Sequence, residues 1–157
     1  PEAKKYKVET AIEEIKNRIS NKDCKFILFK TWPSKKEYPK QYCYSKWAID
    51  HNLENDEYCS PEIANLDQEF DLINESYDLV AEKYGLTASE NGNKFYQILT
   101  EYPEVNVYED NIHPNVYGAF LNACVFYQML TGKKASKLKF NGEIEPKTAE
   151  LLKKIAE

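Results

Sequence analysis

Asp110, His113 and Pro114 are the residues whose types and spacing best fit chemistry. An aspartate three residues before a histidine on a non-helical turn folds back so that its carboxylate accepts the imidazole Nδ1–H. That fixes the tautomer and leaves Nε2 free to take a proton from a nucleophile. Pro114 then opens an apolar helix, a rigid support for the imidazole, which is what a general base with its orienting acid requires. The same spacing also arises by chance. The plainer alternative is that Asp110 caps a turn and His113 makes a backbone hydrogen bond at the start of a helix.

Other candidates fit less well. Cys124 lies eleven residues beyond His113, about 16 Å along a helix axis, too far for a Cys–His pair. His51 follows Asp50 in a long loop and is more simply an exposed loop histidine. The acidic run Glu54, Asp56, Glu57, Glu62, Asp67, Glu69, Asp71 lacks the glycine and ligand spacing of a calcium loop and reads as solvated surface. The four cysteines lack C-x-x-C spacing; Cys24 and Cys124 read as small core residues, and a Cys43–Cys59 disulfide is allowed but not indicated by spacing. No metal or organic cofactor is implied. Trp32, Tyr38, Tyr42, Tyr44 and Trp47 either knit a long loop to the core or offer ring faces to a ligand, with Trp32 the best single candidate for substrate binding.

The elements that must position these residues follow from periodicity. Val8, Ala11, Ile12, Ile15 and Ile19 recur at helical spacing and predict a surface helix with one buried stripe. Cys24–Phe29 reads as a short apolar strand covered on both faces, as in a parallel α/β sheet. From Thr31 to about Cys59 no period is sustained; this is a loop-rich excursion, with a short helix around Ser45–Asp50, expected to border a cleft. Ser60-Pro61-Glu62 looks like a helix start, and the apolar positions Ile63 to Tyr84 carry that helix to Gly85. Leu86–Ala88 predicts a short strand, Lys94–Glu101 a helix stopped before Pro103, Asn115–Thr131 a helix apolar nearly all round, and Pro146–Ala156 a final amphipathic helix.

Composition bounds the reading. The chain has 157 residues, one domain's worth, with 42% apolar residues and twelve Tyr, enough for a packed core. Its formal charge of −5 opposes bulk binding to nucleic-acid backbones or anionic lipid. The longest apolar run, Val116–Leu130, falls short of the roughly 20 residues that span a bilayer. The start, Pro1-Glu2-Ala3, shows neither an initiator Met nor a signal pattern, which points to a processed chain or a piece of a longer one and leaves the compartment open.

The stretch Asp110-Asn111-Ile112-His113-Pro114-Asn115-Val116-Tyr117-Gly118, running on through Ala123 to Leu130-Thr131-Gly132, resembles the last block of the SGNH hydrolases, the GDSL-type esterases and acylhydrolases. That block reads approximately D-x-x-H-P-x-x-x-G-x-x-x-x-A. More loosely, the strand ending near Lys30-Thr31-Trp32 looks like the family's penultimate strand, and Leu86–Gly92 like the short strand and turn before its catalytic loop. The resemblance implies an α/β fold, a three-layer α/β/α sandwich of SGNH-hydrolase, flavodoxin-like type with a parallel sheet. Residues 1–157 would be its C-terminal part, with the N-terminal strands absent and 133–157 a helical extension.

By the same resemblance Asp110 and His113 fall on the acid and base of a serine hydrolase triad. The substrate would be a small-molecule or carbohydrate ester. The family's serine, in a G-D-S or G-N-S element, and its oxyanion donors are missing: Ser20, Ser34, Ser45, Ser60, Ser76, Ser89 and Ser136 all lack that context, and Asn91-Gly92-Asn93 is not the family's G-x-N-D element. Either an N-terminal segment or separate chain supplies the serine, or the chain folds without turning over; we favour the first, and expect the chain alone to be inactive. The rival is a non-catalytic glycan- or protein-binding module on the same fold.

Overall fold

The computed structural model describes residues 2–50 and 52–157. In chain order the elements are α1 (Glu2–Arg18), β1 (Ile27–Leu28), β2 (Cys43–Ser45), α2 (Lys46–Ile49), β3 (Glu57–Cys59), α3 (Leu66–Tyr84), β4 (Thr87–Ala88), α4 (Asn91–Glu101), α5 (Val116–Thr131), a 3₁₀ turn (Ala135–Lys137) and α6 (Pro146–Ile155). The chain divides into two compact units, one of residues 1–26 with 37–68 and one of residues 27–36 with 69–157.

In the first unit β2 and β3 pair antiparallel, with Cys43 opposite Cys59 and Tyr44 opposite Tyr58. The ladder is extended outward by the paired bonds Lys40 N–H to Ile63 O (2.9 Å) and Ile63 N–H to Lys40 O (2.8 Å). Bonds from Ser60 N–H to Tyr42 O and from Lys46 N–H to Asp56 O flank the cysteine pair. Cys43 and Cys59 therefore occupy a non-hydrogen-bonded position, where side chains approach most closely, and they are joined as a disulfide. The long excursion thus contains a clipped hairpin that spacing did not indicate; its short helix, α2, lies where it was expected. Of the predicted stripe of α1, the Val8 side chain lies outside the described residues; Ile15 is 52% exposed, Ala11 is exposed, and Ile12 and Ile19 are half-buried.

The Ser60-Pro61 start of the next helix is also corrected. Ser60 and Ile63 belong to the hairpin's outer rungs, and the helix begins at Leu66, capped by Asn65 Oδ1, which accepts from Gln68 N–H at 2.9 Å. Gln68 Oε1 reaches back to accept from Ala64 N–H at 2.7 Å. This is close to a capping box, in which cap and third residue each satisfy an amide left open by the first helical turn. Gly85, at φ 59°, closes the helix as expected.

The second unit is an α/β assembly. Strands β1 and β4 run parallel, Ile27 beside Thr87 and Leu28 beside Ala88. The fold class read from sequence is thereby borne out, with a small sheet. The strand expected over Cys24–Phe29 shrinks to two residues, half-buried rather than covered on both faces. Helices α4, α5 and α6 enclose a core in which Phe95, Ile98, Leu121 and Leu152 are fully buried, each worth about 1.5–3 kcal/mol over an exposed position. The α6 residues Ala149, Leu152 and Ile155 join that core, so residues 133–157 pack with α5. Gly132, at φ 68°, ends α5 with its amide on Gln128 O. Helix α5 is less enclosed than its composition suggests: Val116 and Leu130 are 57% and 70% exposed.

Candidate active site

The candidate site is the loop between Tyr108 and Pro114, in the second unit. A short antiparallel bridge joins Tyr108 to Pro114. Glu109 N–H donates to His113 O at 2.9 Å, and Asn115 N–H to Val107 O at 3.1 Å. Inside this closed loop Asp110 uses both oxygens. Its Oδ1 accepts from the amides of Ile112 and His113, each at 2.7 Å, the Asx-turn geometry an aspartate forms locally. Its Oδ2 lies 2.7 Å from His113 Nδ1. An ionised carboxylate only accepts hydrogen bonds, so Nδ1 carries the proton and Nε2 of the neutral ring is left with a free lone pair.

The two groups shift one another. The hydrogen bond from His113, joined by the two amides, holds Asp110 well below the usual carboxylate range. The same bond, with the carboxylate's charge, raises His113 above the ordinary imidazole value. Both side chains face water, His113 73% and Asp110 55% exposed, so the imidazole is open to a reacting group.

Two segments far apart in sequence hold the loop. On one side Asn115 caps α5: its Oδ1 accepts from Tyr117 and Gly118 N–H at 2.9 and 3.1 Å, while its Nδ2 donates to Asn106 O at 2.8 Å. Gly118 lets the helix lie directly on the incoming chain, because a Cβ there would sit 2.4 Å from Val107 O and 2.9 Å from both Phe95 and Pro114. On the other side, the residues after β1 grip the loop. Trp32 Nε1 donates to Ile112 O at 2.9 Å, Lys35 N–H donates to Asn111 O at 2.7 Å, and Tyr108 Oη donates to Pro33 O at 2.5 Å.

Asp110 and His113 are thus brought together as their spacing suggested. Trp32, read from sequence as the best single candidate for substrate binding, borders the same loop. It is half-buried, stacked on Phe95 with ring centroids 4.0 Å apart, and its polar edge is committed to the loop. Spacing missed Lys35, Asn106 and the Trp32 brace, because they meet the loop only through the tertiary fold; Asn115 was legible as a helix start.

The remaining candidates carry less. Cys124 is buried, and burial pushes its thiol up to about 11, far from a thiolate at neutral pH. Cys43, Glu57 and Cys59 offer ligand atoms within 4.8 Å of one another, but both sulfurs are spent in the disulfide. Tyr38, Tyr42, Tyr44 and Trp47 belong to the hairpin unit, where Trp47 is 64% exposed. His51 lies outside the described residues. No described helix is long and apolar enough to cross a membrane.

No family model matches the sequence, and no curated protein matches it. Among solved structures, the chain is similar to a DUF4886 family protein from Bacteroides uniformis, with a TM-score of 0.69 at 16% identity over 93% of this chain. The chain spans 51% of that protein's length, and the likeness is one of fold.

Proposed function

We propose that the Asp110–His113 pair is the acid and base of a serine hydrolase acting on an ester through an acyl-enzyme, with the serine contributed by polypeptide outside these 157 residues. The observation that carries this reading is the 2.7 Å contact between Asp110 Oδ2 and His113 Nδ1, made by a carboxylate whose other oxygen is tied to two amides. The ring is then oriented and its basic nitrogen left open, as proton transfer from a hydroxyl requires. The resemblance of Asp110–Gly118 to the SGNH block adds the reaction class. Gly118 gives that motif a physical meaning, since the helix could not lie on Val107 O with a side chain there.

In this scheme His113 takes the serine proton as the serine attacks the ester carbonyl, then passes it to the departing alkoxide. Water repeats the cycle on the acyl-serine and restores both groups. Asp110 keeps the tautomer and offsets the imidazolium charge. The test is fluorophosphonate labelling of the assembled protein, with turnover of a short acyl ester measured alongside. The serine should be labelled in the unaltered protein, and His113→Ala should slow labelling and turnover by about 10³-fold or more without unfolding. Labelling at the unaltered rate in His113→Ala would refute the assignment.

The exposed Trp47 ring in the hairpin favours one second reading, a glycan- or protein-binding module. Quenching of Trp47 fluorescence by an oligosaccharide, with no fluorophosphonate labelling, would select it.

A further inference from the structure

The chain that leads from α4 into the Asp110 loop borders a cavity of about 170 Å³ in the second unit. Leu99, Pro103, Val105 and Val107 give it apolar walls. Drug-sized ligands fill about 300–1,000 Å³, so this cavity has room for a small molecule. One charged side chain lines it, that of Lys35. Apolar walls around a single placed polar group are the usual make-up of a ligand site.

Lys35 is exposed as a residue, yet its head is fixed. Its Nζ donates to Asn106 Oδ1 at 2.6 Å and stands 5.4 Å from the centroid of the Tyr108 ring, within reach of a cation–π attraction. Its main chain is tied as well, since Lys35 N–H donates to Asn111 O. The Asn106 amide is fully engaged in holding this arrangement: Oδ1 also accepts from Tyr108 N–H, and Nδ2 donates to Tyr108 O. An ammonium has three N–H donors, and the bond to Asn106 uses one. Among the described residues, no carboxylate pairs with Lys35. The cavity therefore presents a positioned cation with two donors open and apolar surface beside it.

We infer that this cavity binds a small monocarboxylate with a short apolar chain, its carboxylate on Lys35 Nζ and its chain against Leu99, Val105 and Val107. Charge and donor count select the class. Two open donors on one ammonium match one carboxylate, through hydrogen bonds strengthened by charge on both partners. A phosphate dianion would keep unmatched charge, because neither an arginine nor a helix start, the usual further partners of phosphate, lines the cavity. A cation would meet the charge of Lys35. An uncharged apolar molecule would strip water from the ammonium and return no hydrogen bond. Because Asn106 and Tyr108 already hold the ammonium, little freedom is lost when an anion meets it. The site stands on this geometry and not on the hydrolase reading. Lys35 also holds Asn111, so its occupant rests on the same support as the Asp110–His113 loop.

The test is an NMR titration of the isotope-labelled chain with sodium butyrate at constant ionic strength, with butyramide, butylammonium and inorganic phosphate as comparisons. Butyrate should move the amide signals of Lys35, Asn106 and Val107 saturably, with a Kd on the order of 1 mM, and leave exposed Glu150 of α6 unmoved. The three comparison compounds should bind more weakly. Lys35→Met keeps the length of the side chain and removes its charge, so it should weaken butyrate about tenfold or more. Lys35→Arg keeps the charge and should retain most of the affinity. Signals of the buried core that match those of the unaltered chain will show that both variants fold. Butyramide or phosphate binding as tightly as butyrate, an absence of saturable shifts at the cavity, or a Lys35→Met chain that binds butyrate unchanged would each overturn the inference.

Discussion

A carboxylate that orients an imidazole is also visible in that imidazole's titration. The bond to Asp110 raises the His113 pKa and lowers that of Asp110. The charged pair therefore exists between the two shifted values: its contribution through His113 is present below about 6.5 and lost as pH rises through the raised value, and that through Asp110 is present above about 3.9 and lost as pH falls through the lowered one. Both groups are largely exposed, so solvent screening leaves the effect local, and the proper measurement is the NMR titration of His113 rather than a melting curve. Its midpoint should lie above 6.5, and Asp110→Asn should bring it back toward that value. An unmoved His113 midpoint would mean that the pair is not coupled in solution. The base form dominates only above the raised pKa, so ester turnover should increase with pH through that same midpoint. Gly118 poses a question of sign. Glycine to alanine inside a helix gains up to about 1 kcal/mol from propensity, whereas forcing a methyl into a packed site costs about 1–3 kcal/mol. The nearest atom to the added Cβ is backbone, Val107 O at 2.4 Å, and that carbonyl is held by Asn115 N–H, so the steric cost should win. Gly118→Ala should lose about 1–2 kcal/mol in urea denaturation; a gain would show that α5 does not lie so close to Val107.

Elements succeed or fail as supports according to what grips them. The loop at 110–113 is clamped by the segment after β1, and the Trp32 bond to Ile112 O is the part of that clamp a single substitution removes most cleanly. Trp32→Phe keeps a ring to stack on Phe95 and deletes the indole N–H, a loss of about 0.5–1.5 kcal/mol. Amide exchange at Ile112 and His113 should quicken by up to about tenfold, the equivalent of that energy, with the global denaturation midpoint changed little. Unaltered exchange would show that the indole N–H does not hold the loop. This bond also marks the limit of what was legible in the chain. The pairing of Asp110 with His113 is local, so three-residue spacing revealed it; the brace from Trp32 crosses 80 positions, and no short-range pattern encodes that. The same division runs through the elements. Helices α4, α5 and α6 and strand β4 were legible because periodicity, Pro and Gly placed their limits. The start of α3 was missed because Ser60-Pro61 imitates a cap and proline pair, while the working signal was Asn65 with Gln68. Strand β1 was overestimated because an apolar run measures how much a strand is suited to burial, not how many partners it has.

At the scale of the whole chain, the two units rest on different kinds of support. The second has a continuous core around Phe95, Leu121 and Leu152. In the first, strands β2 and β3 are three residues each, with the exposed cysteines outside and Tyr44 and Tyr58 half-buried, and a hairpin that short is marginal by itself. The Cys43–Cys59 link, closing a sequence separation of 16, would restrict the open chain by about 3 kcal/mol on loop-closure grounds. That exceeds the about 0.5–1.5 kcal/mol of a single hydrogen bond in the ladder, so the link should decide whether the hairpin persists. Two measurements follow. The chain denatured without reductant should titrate two thiols, Cys24 and Cys124, and four after reduction. Limited proteolysis of the Cys43→Ser, Cys59→Ser double variant should cut faster within residues 46–56 than in the oxidised chain, on the order of a hundredfold if most of that energy is realised. Four thiols before reduction would remove the disulfide, and equal cutting rates would show that the outer rungs at Lys40 and Ile63 hold the hairpin without it.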